Sequence, residues 1–234
     1  MEAPERLPLD CEPLDEILGG GLEHGVITNV YGESGTGKTN VCVQATASCL
    51  ADGGTVIYLD TEGGFSAERF LQIHDDRDAL ERLLLQEPTT FEEQRETFDE
   101  LEEAMQEHDA DLLVVDSLVA LYRIRLQDEE ASETNRELSR QLSILSKIAR
   151  QQDVPVLVTN QVYSPFESDE VRMVGRDVPT YWSKCLLKLE TAGTNRRRAI
   201  VKKHRSRPEG LEAEFLITNE GLLSNGKDPE VQLY

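Results

Sequence analysis

Lysine is scarce in this chain: only 7 of its 24 basic residues are Lys, they face 45 acidic residues, and the formal charge is −21. So few cations exclude generic nucleic-acid binding over the whole surface, because phosphate contacts require clustered positive charge. A local basic patch stays open. The four cysteines, Cys11, Cys42, Cys49 and Cys185, show no C-x-x-C spacing and no adjacent His cluster. That excludes a zinc module and fits a reduced, intracellular protein. No stretch approaches the ~18 apolar residues of a membrane span, and Met1 to Arg6 lack the basic end and apolar run of a signal peptide. The expectation is a soluble cytoplasmic protein with no membrane contact. At 234 residues and 38% hydrophobic, the chain can bury a sizeable core, which excludes a long disordered polymer.

The acidity has two readings, an acidic tail for a partner or an acidic surface suited to high salt, where screening weakens mutual repulsion. The acids run throughout, from Glu2 and Asp10 through Asp75, Glu100 and Asp128 to Glu209 and Asp228. That spread, with Arg favoured over Lys, points to a halophilic surface.

Val26 to Tyr31 reads as a strand, followed by the glycine-rich run Gly32 to Thr39, a helix over about Asn40 to Leu50, and the turn Asp52-Gly53-Gly54. Thr55 to Asp60 is a second buried strand, completing a βαβ unit of a parallel sheet. Ala67 to Ile73 suggests a helix and Leu83 to Leu85 a strand. Thr90 with Glu93 forms a capping box opening a helix to about Glu107, with Phe91, Phe98, Leu101 and Met105 at helical spacing and a solvated acidic face. Leu112 to Asp116 is a strand apolar throughout, as one buried on both faces should be. A helix from about Glu129 to Gln151 and a strand over 154–159 follow. Beyond Ser183, short strands alternate with turns, so the sheet is expected to end in antiparallel hairpins.

Gly32-Glu33-Ser34-Gly35-Thr36-Gly37-Lys38-Thr39 is a phosphate-binding loop: its glycines let the backbone wrap a polyphosphate, Lys38 reaches the β and γ phosphates, and the Thr39 hydroxyl ligates Mg²⁺. Asp116, ending the strand LLVVD, fits the acid that holds Mg²⁺, usually through water. Glu62, after the strand that follows the loop's helix, could orient the water attacking the γ phosphate or simply form a turn. Gln161 could sense the γ phosphate or make a structural hydrogen bond. Arg196, Arg197, Arg198, Lys202, Lys203, Arg205 and Arg207 place 7 of the 24 basic residues within 12 positions. They could contact DNA, reach a neighbouring subunit's γ phosphate as an arginine finger does, or pair with acids on a surface hairpin.

Together, GESGTGKT (32–39), YLDTEGG (58–64), LLVVDS (112–117), VTNQV (158–162) and Leu14-Asp15-x-x-Leu18-Gly19-Gly20-Gly21 resemble the RecA/RadA recombinase superfamily over nearly the whole chain. The resemblance implies an α/β RecA-like ATPase core: a mainly parallel sheet, helices on both faces, and C-terminal antiparallel hairpins. It implies ATP and Mg²⁺ as ligands, Glu62 as catalytic carboxylate and Gln161 as γ-phosphate sensor. Arg69 takes the place of an arginine that packs on adenine. Lys203 and Arg205 fall where related ATPases carry a Lys-Asn-Arg motif that touches nucleotide across a subunit interface. The segments after Asp116 and Gln161 correspond to DNA-facing loops and offer Arg123, Arg125, Arg172 and Arg176, with Tyr122, Tyr163 and Phe166 as stacking groups.

The departures carry weight as well. The core motifs begin within about 20 residues of Met1, so one RecA-like domain over 1–234 is expected, without an N-terminal helical DNA-binding domain. No F-x-x-A docking motif follows any of the six Phe residues, and Glu167, Asp169 and Glu170 crowd the loop after Gln161. The resemblance therefore implies an accessory factor of recombination and DNA repair. It would bind ATP and single-stranded DNA, turn ATP over weakly, lack independent strand exchange, and have the main recombinase RadA or a second copy of itself as partner. The charge suits a haloarchaeal source. Two rivals remain: an ATP-gated loader that needs no hydrolysis, and a regulatory ATPase like the circadian-clock KaiC group.

Overall fold

The computed structural model describes residues 5–128, 131–163, 172–175 and 177–225. In chain order its elements are β1 (Arg6–Leu7), α1 (Glu12–Leu18), β2 (Leu22–Glu23), β3 (Ile27–Gly32), α2 (Lys38–Ala51), β4 (Val56–Asp60), α3 (Ala67–Ile73), β5 (Leu83–Gln86), α4 (Phe91–Glu107) and β6 (Leu112–Asp116). There follow α5 (Ala120–Asp128), α6 (Ala131–Gln152), β7 (Val156–Tyr163), β8 (Arg172–Met173), α7 (Asp177–Trp182), β9 (Cys185–Thr191), β10 (Arg196–Lys203), β11 (Glu212–Thr218) and β12 (Gly221–Ser224).

The main sheet runs β12-β11-β10-β9-β3-β7-β6-β4-β5, with β8 beside the end of β7. From β5 to β9 neighbouring strands pair in parallel, and β9 to β12 pair antiparallel. Mainly parallel strands ending in antiparallel hairpins are the expected architecture. The first βαβ unit is parallel too, but β7 and β6 intervene between β3 and β4.

Strand alternation divides the interior into two cores. Val56 and Tyr58 of β4 and Leu112 and Val114 of β6 face α1, α2 and α3. Ile57, Leu59, Leu113 and Val115 face α4 and α6. Both faces of these strands are therefore buried, which explains their unbroken apolar runs. On α4, Phe98, Leu101 and Met105 are buried while the acidic face is solvated. The capping box is modified: Thr90 Oγ1 accepts from Glu93 N, whereas the Glu93 carboxylate accepts from the backbone N and hydroxyl of Thr89, one residue before the cap.

Two expectations are corrected here. The segment after Asp116 is not an open loop, because α5 begins at Ala120 and carries Arg123 and Arg125 on a helix. Tyr122 is 2% exposed and donates to Asn135 Oδ1 (2.8 Å), so it is a core residue and not a stacking platform.

Candidate nucleotide site

Register places the functional side chains together at one end of the sheet. Gly32 lies beside Gln161, and Asp60 lies beside Asp116. These are the carboxyl ends of parallel strands, where open α/β sheets bind ligands.

The loop after β3 has the geometry of an anion cradle. Gly35 and Gly37 hold φ angles of +77° and +93°, accessible to glycine at little cost, and Gly37 is the N-cap of the 14-residue α2. A Cβ on Gly32 would stand 2.4 Å from the Leu189 carbonyl oxygen and 2.9 Å from Thr36 Oγ1. Thr36 in turn donates its hydroxyl to the Glu33 carbonyl (2.8 Å), tightening the turn, while Glu33, Ser34 and Gly35 form its exposed rim. Lys38 Nζ donates to the Gly32 (3.1 Å) and Glu33 (2.9 Å) carbonyls. Burial lowers its pKa, and nearby Glu62 and Asp116 act in the opposite direction.

Asp116 is 3% exposed and accepts from the hydroxyls of Tyr58 (3.1 Å), Thr159 and Thr39. Burial dominates and raises its pKa, against those three hydrogen bonds. Among the described residues no three His, Cys, Asp or Glu side chains are grouped so as to hold a metal ion by themselves. One carboxylate beside the Thr39 hydroxyl is the sparse protein set Mg²⁺ takes when phosphate oxygens and water complete its shell. The donor set and the glycine cradle therefore fit a Mg²⁺-bound polyphosphate.

Four elements meet around Glu62. Its Oε1 accepts from Ser117 Oγ (2.6 Å) and Gln161 Nε2 (2.8 Å), and Gln161 Oε1 accepts from Arg123. The Asp60 carboxylate holds the turn by accepting from the Glu62 (3.1 Å) and Phe65 (2.7 Å) amides. Thr61 Oγ1 donates to the Ser117 carbonyl (2.7 Å) and accepts from Ser117 N (3.0 Å). Asp60, Thr61, Ser117, Tyr58 and Thr159 carry no motif of their own in the sequence. Their adjacency to Glu62, Asp116 and Gln161 was the available signal.

Arg69 lies on α3, with its guanidinium against the first turn of α2. It donates to Asn40 Oδ1 (3.0 Å), Gln72 Oε1 (3.0 Å) and the Asn219 carbonyl (3.1 Å). Arg69 thereby joins the first turn of α2, α3 and the β11–β12 turn beside the cradle.

The basic segment is not one surface. Arg196 and Arg198 face Glu214, at 3.7 and 3.0 Å, while Arg197 projects to the opposite face and donates to the Gly35 carbonyl (3.2 Å). Lys203 donates to the Thr180 carbonyl (2.8 Å), Arg205 pairs with buried Glu23, and Arg207 donates to the Glu16 carbonyl at the end of α1 (3.0 Å). Within this group Lys202 alone is without a partner among the described residues, and it is exposed. Lys203 pairs through Leu186 with Asn29, three residues upstream of Gly32. Lys203 and Arg205 thus lie away from the phosphate loop of their own chain. Arg125 pairs with Glu92 and lies 5.7 Å over the Phe91 ring. Arg172 is in β8, while Arg176 and Phe166 lie outside the described residues.

The family model of Rad51 matches residues 6–225. The chain belongs to the Rad51 family. It is 44% identical over 221 residues to the DNA repair and recombination protein RadB of Methanococcoides burtonii, covering 93% of this chain and 97% of that protein. RadB proteins of Thermococcus onnurineus (40% identical; 92% of this chain, 96% of that one) and Halobacterium salinarum (36%; 94% and 96%) are similarly related. A crystal structure of the RadB recombinase superposes with a TM-score of 0.80 at 36% identity, covering 93% of this chain and 99% of that one. The RecA-like fold implied by the motifs is the fold of this Rad51-family chain.

Proposed function

We propose that this chain is an ATP- and Mg²⁺-binding accessory protein of homologous recombination and DNA repair, acting in the cytoplasm as one RecA-like unit with slow hydrolysis and no independent strand exchange. The observation that carries the reading is the convergence of the glycine cradle, Lys38, the Thr39–Asp116 pair, Glu62 and Gln161 at one sheet end. The printed names of the RadB relatives support the recombination and repair role.

When bound, ATP would supply the γ-phosphoryl group and Mg²⁺ would offset the charge that develops on its oxygens. Lys38, whose ammonium donates to the Gly32 and Glu33 carbonyls, would turn to the phosphate oxygens, and Thr39 and Asp116 would hold the metal. Glu62 would orient water for in-line attack on the γ phosphorus and accept its proton, while the bond to the β–γ bridging oxygen breaks and ADP departs with that oxygen. Gln161 holds Glu62 through its amide nitrogen and Arg123 through its amide oxygen, joining the site to α5. Single-stranded DNA contacts are assigned to Arg123 and Lys202 on the exposed surface, with the main recombinase RadA or a second copy as partner.

A second reading, ATP as a conformational ligand that gates loading of the main recombinase, is favoured by one feature: the Glu62 carboxylate is already engaged by Ser117 and Gln161. Comparing Lys38→Ala with Glu62→Ala in a DNA-damage survival assay separates the two. Loss in both variants is the result expected of an ATPase cycle, and loss in Lys38→Ala alone supports the gate. Full survival with Lys38→Ala contradicts both.

A further inference from the structure

A β-strand turns successive side chains to opposite faces, so three consecutive arginines cannot act as one patch. On β10, Arg196 and Arg198 face Glu214 of β11, as described above, and Arg197 points the other way. Its guanidinium is enclosed by backbone oxygens. It donates to the carbonyls of Gly193 (3.2 Å) and Thr194 (3.3 Å) in the β9–β10 turn, of Arg196 (2.9 Å) at the start of β10, and of Gly35 in the phosphate loop (3.2 Å). Its Nε is buried and has no hydrogen-bond acceptor. That nitrogen lies 3.9 Å from where a Cβ on Gly37 would stand, a position also 2.6 Å from Ile217 Cδ1 of β11. Side chains of the C-terminal strands therefore press against the outer wall of the cradle, and one of them is a cation.

A guanidinium carries its charge at any working pH, in a planar fork that keeps its direction. Here it stands beside a loop built for polyphosphate, close to a site that already holds the carboxylates Asp60, Glu62 and Asp116. Positive charge on the second wall offsets their repulsion of an incoming anion.

We propose that Arg197 is a positioning residue of the nucleotide site: it fastens the apex of the phosphate loop to the C-terminal sheet, and its charge strengthens binding in proportion to the charge of the phosphate chain. This rests on the nucleotide reading above. It also makes the β9–β10 turn and the phosphate loop one mechanical unit, so movement of residues 193–196 reaches Gly35 directly.

The test is calorimetric titration of the full chain with ATP, ADP and AMP in Mg²⁺, alongside its melting temperature. Arg197→Ala removes both the bond and the charge. Arg197→Gln keeps a donor for the Gly35 carbonyl without the charge and guards against misfolding, and Arg197→Lys keeps the charge without the fork. Arg196→Ala is the control. ATP affinity is expected to fall about tenfold in the Ala and Gln variants, the size of one charge-assisted contact, with a smaller loss for ADP and the least for AMP. Lys restores part of the loss and Arg196→Ala changes nothing. Equal losses for all three nucleotides would make Arg197 a purely structural strut and overturn the proposal, as would wild-type affinity in the Gln variant. Failure of the unaltered protein to bind any nucleotide sinks the nucleotide reading itself, and this proposal with it.

Discussion

Asp116 is asked to be two things. A buried carboxylate is unfavourable in the folded protein, and burial raises its pKa, yet Mg²⁺ needs it ionised. As pH falls, the folded chain takes up this proton before an unfolded chain would, so through this group acidification stabilises the fold while removing the proposed metal site. Mg²⁺-dependent ATP affinity should therefore begin to fall above the usual carboxylate range near ~4, by up to about tenfold per pH unit. Titrations at stepped pH check this, and Asp116→Asn should lose the Mg²⁺-dependent component at every pH. Lys38 carries the opposite sign of the same conflict, since burial lowers its pKa. Lys38→Ala should leave the ligand-free protein at least as heat-stable as wild type while abolishing stabilisation by ATP, as differential scanning would show.

At the scale of elements, β10 decides what the basic run can do. Register with β11 brings Glu214 opposite Arg198, with Arg196 on the same face, so the charge most visible in the sequence is largely met within the sheet. Arg196→Ala and Arg198→Ala should change single-stranded DNA affinity less than about twofold. Glu214→Ala should raise it and steepen its salt dependence by about one or two phosphate contacts, as fluorescence anisotropy over a salt series would reveal. The pairing was not legible beforehand, because it depends on which strand lies beside β10 and in what register. The phosphate loop and the strand-end Asp116 carry their own local pattern, whereas Glu62, two residues beyond β4, and Gln161, within β7, stood open between a functional and a structural reading until the family resemblance gave them roles. Helix α5 was not legible: buried Leu121 and Tyr122 next to exposed Ile124 make no clear apolar stripe, and Arg123 and Arg125 read as loop cations. The two cores were half legible. Unbroken apolar strands announce burial on both faces, but only the sheet order shows that β3 and β4, neighbours in sequence, stand apart with β7 and β6 between them.

For the whole molecule, a formal charge of −21 penalises compactness at low ionic strength, and most of the basic 196–207 segment is paired locally. The 203–207 segment fastens β2 and α1 through Arg205–Glu23 and Arg207–Glu16, which gives those cations a folding role beside any role across a subunit interface. Screening should therefore stabilise this protein. Between roughly 0.1 and 2 M KCl its melting temperature should rise by on the order of 10 °C, about 3 kcal/mol for a chain of this size. A fall over that range would contradict a surface adapted to salt. The central claim, that the sheet end built from β3, β4, β6 and β7 is a Mg²⁺-nucleotide site, is tested most directly by calorimetric titration of the full chain with ATP in concentrated KCl, with and without Mg²⁺. The account predicts one saturable site that requires Mg²⁺ for full affinity and disappears in Lys38→Ala. No binding by the wild-type protein, or equal binding by Lys38→Ala, would contradict it.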